Sequence, residues 1–216
     1  MPQLVDCWDL DGTLVHTGRL FASAIGKVGA ASGKSVTEVA QSLGKVSKVT
    51  FTFTDWFADL GIEEGGWVDL EADLRASIAA RAKSCLYPGV VELLEIRKRA
   101  GVRQVLVTAG DPTYQQWKFE LLGLNDVFAG EDRHFVPLDG SKATVIELYV
   151  SSGSVNFIDD RTNWLLEVAD RHLPVRCLRP CWPETSGNTP HDDDGRLWQT
   201  ATSIEQLQQF LERGAA

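Results

Sequence analysis

The stretch Leu4-Val5-Asp6-Cys7-Trp8-Asp9-Leu10-Asp11-Gly12-Thr13-Leu14 constrains this chain more than any other part of it. A short, largely apolar run that ends in two carboxylates and then Gly reads as a buried strand breaking into a turn. Side chains alternate along a strand, so Asp9 and Asp11 share a face, about 6–7 Å apart if the chain stays extended. Two acidic groups at one strand end repel, and without a cation one is driven toward its protonated form. A hard divalent metal removes that conflict.

The remainder of the 216 residues has two textures. From 16 to 85 there is no convincing strand, and helical spacing recurs over 20–31, 36–43, 54–60 and 67–82, punctuated by Gly and Ser. This predicts an all-helical insertion of about four helices, a cap over 16–85, with the core formed by 1–15 and 86–216. Beyond Tyr87-Pro88-Gly89, helices at 90–100, 112–122, 141–150, 163–171 and 203–211 alternate with apolar runs at 105–107, 134–136, 155–158 and 175–178. The segment between the last of these runs and the terminal helix reads as an irregular loop. Apolar strands alternating with helices imply an α/β chain whose parallel sheet is covered on both faces.

Three apolar runs end in polar groups: the first in Asp9 and Asp11, the second in Thr108, the third in Asp159 and Asp160. In open α/β sheets ligands bind beyond the carboxyl ends of the strands, where all these groups lie. Four carboxylates and a hydroxyl, with no Cys or His among them, suit oxygen-liganded Mg²⁺ better than zinc. Lys142 stands where Gly140-Ser141 opens a helix, a place where the dipole disfavours a cation. In this company it reads as the counter-charge to a phosphate.

In order, Asp9-Leu10-Asp11-Gly12-Thr13, then Thr108, then Lys142, then Ile158-Asp159-Asp160 with Asn163 resemble the four motifs of the haloacid dehalogenase superfamily. The helical insertion is similar to that family's cap between motifs one and two. The resemblance implies a Rossmann-like sheet ordered 3-2-1-4-5 and a Mg²⁺-dependent, phosphate-transferring enzyme. It implies Asp9 as nucleophile and Asp11 as general acid and base. Thr108, Ala109, Gly110 and Lys142 would hold the phosphoryl group. Mg²⁺ would be held by Asp9, the Asp11 carbonyl and Asp160, with Asp159 direct or through water. Dehalogenation in this family proceeds without the second acid, so Asp11 favours a phosphatase acting on a small phosphorylated metabolite. A sugar-phosphate mutase with a second phosphate site at Lys45 or Lys48, or a non-catalytic phosphoester-binding protein, are the rival readings.

With 44% hydrophobic and 24% charged residues this is ordinary globular composition. The net charge of -9 argues against nucleic acid or an anionic membrane as the main partner. Cys7, Cys85, Cys177 and Cys181 form no CxxC pair and read as reduced structural thiols. No signal-peptide pattern or membrane-length apolar run is present, which makes the cytoplasm the expected location. Softer candidates are Gly44-Lys45-Val46-Ser47-Lys48 as a cap segment over the site or a solvated turn, and His16 as substrate contact or loop residue. His191-Asp192-Asp193-Asp194 reads as a solvated loop rather than a second metal site, and Trp56 and Trp67 as packing residues.

Overall fold

The computed structural model describes residues 3–47, 51–183 and 197–213. Lys48 and the His191 to Asp194 run lie outside them. The chain runs β1 (Val5–Trp8), α1 (Thr17–Ser32), α2 (Val36–Val46), α3 (Phe53–Asp59), α4 (Trp67–Ala79), α5 (Val90–Arg99), β2 (Arg103–Ala109), α6 (Pro112–Leu122) and β3 (Arg133–Val136). It continues as α7 (Lys142–Val150), β4 (Val155–Ile158), α8 (Thr162–Asp170), β5 (Val175–Pro180), β6 (Gln199–Ala201) and α9 (Ile204–Arg213).

All the strands are parallel, in the order β3-β2-β1-β4-β5-β6. The expected order holds, and β6 extends it by one strand in a stretch that reads as irregular from sequence. β1 is central, with Trp8 level with Leu106 of β2 and Ile158 of β4. This register brings the three polar strand ends to one rim of the sheet.

Alternation along β1 divides the core. Val5 and Cys7 pack with Ala143, Ile146 and Leu165 of α7 and α8, while Trp8 packs with Leu93, Phe119 and Leu207 of α5, α6 and α9. The first cluster is the smaller. The second runs without interruption into the helical insertion, through Phe21 and Val28 of α1, Val39 of α2, Trp56 of α3 and Leu74 and Ile78 of α4. Trp56 is a packing residue, and so is the partly buried Trp67. All four cysteines are buried, and none forms a disulfide among the described residues.

Local chemistry explains the insertion's helix starts. Ser35 and Glu38 form a reciprocal capping box at α2, and Thr52 accepts from the Asp55 N–H at α3. The chain leaves the core and returns to it side by side. The His16 N–H donates to Cys85 O at 2.8 Å, and the Tyr87 N–H donates to Leu14 O at 3.0 Å. His16 itself caps α1, its Nδ1 accepting from the Arg19 N–H at 3.2 Å, and stacks on Tyr87 with ring centroids 5.7 Å apart. No helix among the described residues is long and apolar enough to cross a membrane.

The second residue of β1 carries a buried ion pair. Asp6 accepts from Arg97 Nε at 2.7 Å and Nη2 at 3.1 Å, and from Asn156 Nδ2 at 2.7 Å. Arg97 Nη1 also donates to Leu211 O at 3.3 Å, so one charge pair ties β1 to α5, β4 and α9. Removing one partner leaves the other charge buried and uncompensated. Arg97→Met is expected to cost about 3–5 kcal/mol, read as a fall in the urea midpoint. A change below about 1 kcal/mol would show that the pair does not anchor the sheet.

Candidate active site

Each polar group is fixed by the end of a regular element. Asp9 follows β1, its N–H donating to Ile158 O at 2.9 Å, and Asp159 follows β4, its N–H donating to Leu178 O at 3.1 Å. Lys142 opens α7 behind Ser141, whose Oγ accepts from the Thr144 N–H at 3.0 Å. The Lys142 ammonium, 1% exposed, lies between two carboxylates, 2.5 Å from Asp9 Oδ1 and 2.7 Å from Asp159 Oδ2. Burial favours its neutral amine, but the charges of Asp159 and Asp9 outweigh that and raise its pKa. The cation that the helix dipole disfavours is therefore held by the sheet. Asp9 Oδ2 accepts no hydrogen bond among the described residues.

One lysine does not balance this corner. Asp9, Asp159 and Asp160 each offer a carboxylate oxygen, and the three atoms lie within 4.8 Å of one another. Burial pushes the Asp9 carboxyl up to about 7, opposed by Lys142 and reinforced by the charges of Asp159 and Asp11. Asp159 is raised by burial as well, again opposed by Lys142. An all-oxygen, net negative donor set fits a hard divalent ion. The backbone fits it too: a Cβ at Gly12, where φ is +79°, would stand 2.3 Å from Asp160 Oδ2, so only Gly leaves that carboxylate its place. The Thr13 hydroxyl accepts from the Asp160 N–H at 3.1 Å, and the Arg161 N–H donates to Asp159 Oδ1 at 2.8 Å.

Asp11 has separate company. Its Oδ2 meets Lys118 Nζ and accepts from Gln115 Nε2 at 3.1 Å, while Oδ1 accepts from Thr17 Oγ1 at 2.7 Å. Burial would raise this carboxyl, but the Lys118 charge, with hydrogen bonds from Lys118, Thr17 and Gln115, holds it below its ordinary value. Two carboxylates two residues apart thus differ, Asp9 pushed up chiefly by burial and Asp11 held down by Lys118 and its hydrogen bonds. The Asp11 carboxylate is not part of the metal-like cluster.

A cavity of about 230 Å³ opens over both, bounded by Asp9, Asp11, Ala109, Gly110, Lys118 and Lys142 below, and by Thr17, Phe21, Leu43 and Phe51 from the insertion. Two of the expected phosphoryl contacts are engaged within the protein. Thr108 does not line the cavity; it is buried, and its Oγ1 donates to Gln115 Oε1 at 3.4 Å. Gly110 lines it, but its N–H is engaged with Val136 O at 2.9 Å because β2 still pairs with β3 there. Alternation of the ladder turns the Ala109 N–H to the other side, past the end of β1.

Comparison with known proteins decides the family. Residues 7–168 match the family model of a haloacid dehalogenase-like hydrolase. The chain belongs to that family. A haloacid dehalogenase-like hydrolase from Burkholderia xenovorans LB400 shares the fold with a TM-score of 0.67 at 16% identity, over 100% of both chains. A HAD family hydrolase from Deinococcus radiodurans R1, solved with bound phosphate and sodium, gives 0.60 at 18% identity over 99% of this chain and 97% of its own. The HAD-hydrolase YfnB from Bacillus subtilis, bound to magnesium, gives 0.64 at 14% identity over 98% and 100%. A search of curated proteins finds no match.

This hydrolase also carries site residues that the sequence reading lacks. Lys118 and Gln115 are one helical turn apart on α6, and Thr17 and Arg161 complete the cavity wall. The i, i+3 pair was visible in the sequence, but nothing local ties it to Asp11. Lys45, a candidate for the second phosphate site of the rival mutase reading, pairs with Asp59, which also accepts from Ser42 Oγ at 2.6 Å. Ser47 from the same segment does line the cavity.

The raised Asp9 carboxyl makes a stability prediction. Between its unfolded value near 4 and its folded value of about 7, the unfolded chain releases a proton that the folded chain keeps, so stability falls as pH rises and stays lower above that window. An ion bound to Asp9 reverses this. Millimolar MgCl₂ is expected to raise Tm more at about pH 8 than at about pH 5. Equal increments at both would contradict the assignment of Asp9 to the cation site.

Proposed function

We propose that this hydrolase is a Mg²⁺-dependent phosphomonoesterase that works through an aspartyl-phosphate on Asp9. The observation that carries the reading is Asp11: a second carboxyl on the same cavity, held by Lys118, Gln115 and Thr17. An alkoxide leaving group needs a proton, whereas a departing halide does not. The phosphate in the similar Deinococcus radiodurans structure and the magnesium in the Bacillus subtilis one are the two ligands this site would take.

Lys142 fixes Asp9 through Oδ1, which leaves Oδ2 to attack phosphorus as the ester oxygen departs. Asp11 gives that oxygen its proton. It then takes a proton from the water that attacks the aspartyl-phosphate, which releases phosphate and restores Asp9. The low pKa of Asp11 suits the second step, and the negative phosphoryl group raises it for the first. Lys142, Arg161 and the Ala109 N–H would meet the phosphoryl oxygens, with Thr108 acting behind the wall by orienting Gln115. Mg²⁺, held by Asp9, Asp159, Asp160 and the Asp11 carbonyl, would supply charge neutralisation between the carboxylate and the phosphoryl dianion.

In this reading 16–85 is a cap over a core of 1–15 and 86–216, and the paired segments beside Val15 and Leu86 are its hinge. Thr17, Phe21, Leu43 and Phe51 give the cap its share of the cavity wall, so closure excludes water and selects the leaving group. Of the two lysines the mutase reading would use, Lys45 pairs with Asp59 at the surface and Lys48 lies outside the described residues. The substrate is a small phosphorylated metabolite.

Asp9→Asn is expected to abolish hydrolysis of p-nitrophenyl phosphate, and EDTA to do so reversibly. Full activity in the variant, or halide release from 2-haloacids by the parent, would overturn the reading. Asp11→Asn should cost about 10²–10⁴ in kcat with an alkyl phosphate. Lys118→Met removes the charge that holds Asp11 low, so the Asp11-controlled limb of the pH–rate profile should move to higher pH. An unmoved limb would mean that Asp11 is not the titrating acid.

A further inference from the structure

The cavity wall constrains the leaving group, an argument that rests on the phosphomonoesterase reading. Phe21 of α1, Phe51 and Tyr114 of α6 pack against one another, with Phe51 4.7 Å from Tyr114 and 5.4 Å from Phe21 between centroids. From the opposite face of the sheet comes Trp164 of α8, its ring centroid 5.4 Å from Lys142 Nζ. Leu43 and Leu138 fill the gaps.

The polar groups in this wall are largely engaged. Thr17 Oγ1 donates to Asp11 at 2.7 Å, and Ser47 Oγ to Leu43 O at 2.6 Å. Gln115 bridges Asp11 and Ala109 O through Nε2, at 3.1 Å to each, and accepts from Thr108. Asp111 Oδ1 caps α6 by accepting from the Tyr114 N–H at 2.8 Å. Lys118 and Lys142 are each paired with carboxylates, and Arg161 is the lining cation with no ion pair among the described residues. The Tyr114 hydroxyl is buried without a hydrogen-bond partner among the described residues.

These facts exclude by chemistry. A sugar would bring several hydroxyls into a wall that offers few unengaged polar groups, chiefly the Tyr114 hydroxyl and Arg161, so most of them would lose water without replacement. A second anionic group would face Asp11 and Asp111, with Arg161 already needed by the phosphoryl group. The volume narrows the choice further: about 150 Å³ accommodates a benzene-sized ring. A cavity of about 230 Å³ therefore has room for one ring beside a phosphoryl group. Aromatic walls favour a flat π-system over an aliphatic body through edge and offset contacts. We propose that the substrate is the phosphomonoester of an alcohol bearing a single aromatic ring, seated against Phe21, Phe51 and Tyr114.

The test uses the full chain with Mg²⁺ and four esters of primary alcohols, so that intrinsic leaving-group reactivity is similar: benzyl phosphate, cyclohexylmethyl phosphate, glycerol 3-phosphate and glucose 6-phosphate. The expected result is kcat/KM for benzyl phosphate at least about tenfold above each of the other three. Phe51→Leu, which keeps apolar bulk and loses the ring, should compress the benzyl-to-cyclohexylmethyl ratio. Turnover in which glycerol 3-phosphate or glucose 6-phosphate matches benzyl phosphate, or in which the cyclohexylmethyl ester does, would overturn the proposal and leave the phosphatase standing. No turnover of any ester or of p-nitrophenyl phosphate would overturn the phosphatase itself.

Discussion

The buried Lys142 ammonium, held between Asp9 and Asp159, is the interaction on which the rest of the site depends. Without it, carboxylates from two neighbouring strands would converge on one sheet rim in a dry environment, a state that burial and like charge both penalise. With it, Asp9 keeps one oxygen fixed and the other clear of hydrogen bonds from the described residues. The sheet topology supplies the meeting point, because parallel strands at the centre of the order carry their carboxyl ends to one side. The lysine makes that meeting tolerable, and the residual negative charge is what a cation would complete.

Asp11 shows how the same rim yields two unlike carboxyls. Its field is set by α6 and α1 rather than by the sheet, and both of its oxygens are claimed. Lys118 is only 2% exposed, so its charge is costly where it stands unless Asp11 remains ionised beside it. The two positions diverge because the chain leaves the strand after Trp8 and turns at Gly12, which sends Asp9 toward β4 and α7 and Asp11 toward α6. The simple picture of two side chains on one extended face gives their proximity and misses their separation in role.

What was legible in the sequence follows from range. Strand ends, helix caps and the order of the polar groups are local signals, so Asp9, Lys142, Asp159 and Asp160 were within reach, whereas the strand order through β5 came from the family resemblance. The pairing of Lys118 and Gln115 with Asp11 spans 107 and 104 residues, and no periodicity encodes it. Thr108 was correctly placed at a strand end, but which way its hydroxyl turns depends on Gln115. β6 is three residues of Gln, Thr and Ala at the sheet edge, too short and too polar to announce itself, and its strand character comes from pairing with β5. The pairing of Lys45 with Asp59 was hidden because Asp59 lies on a different helix.

The helical insertion is not an independent module resting on the core. Its apolar residues and those under the α5, α6 and α9 face of the sheet form one cluster, and Phe21, Phe51 and Tyr114 carry that cluster into the cavity wall. Thr17, the first residue of α1, donates to the Asp11 carboxylate at 2.7 Å. A shift of α1 relative to α6 would therefore change two things together: the spacing of the aromatic wall, and the number of hydrogen bonds on Asp11. The Thr17 bond is one of the contacts, after Lys118, that hold the Asp11 pKa below its ordinary value, so losing it would weaken that hold. The shape of the aromatic wall and the surroundings of the Asp11 carboxylate are in this way two consequences of one helix position.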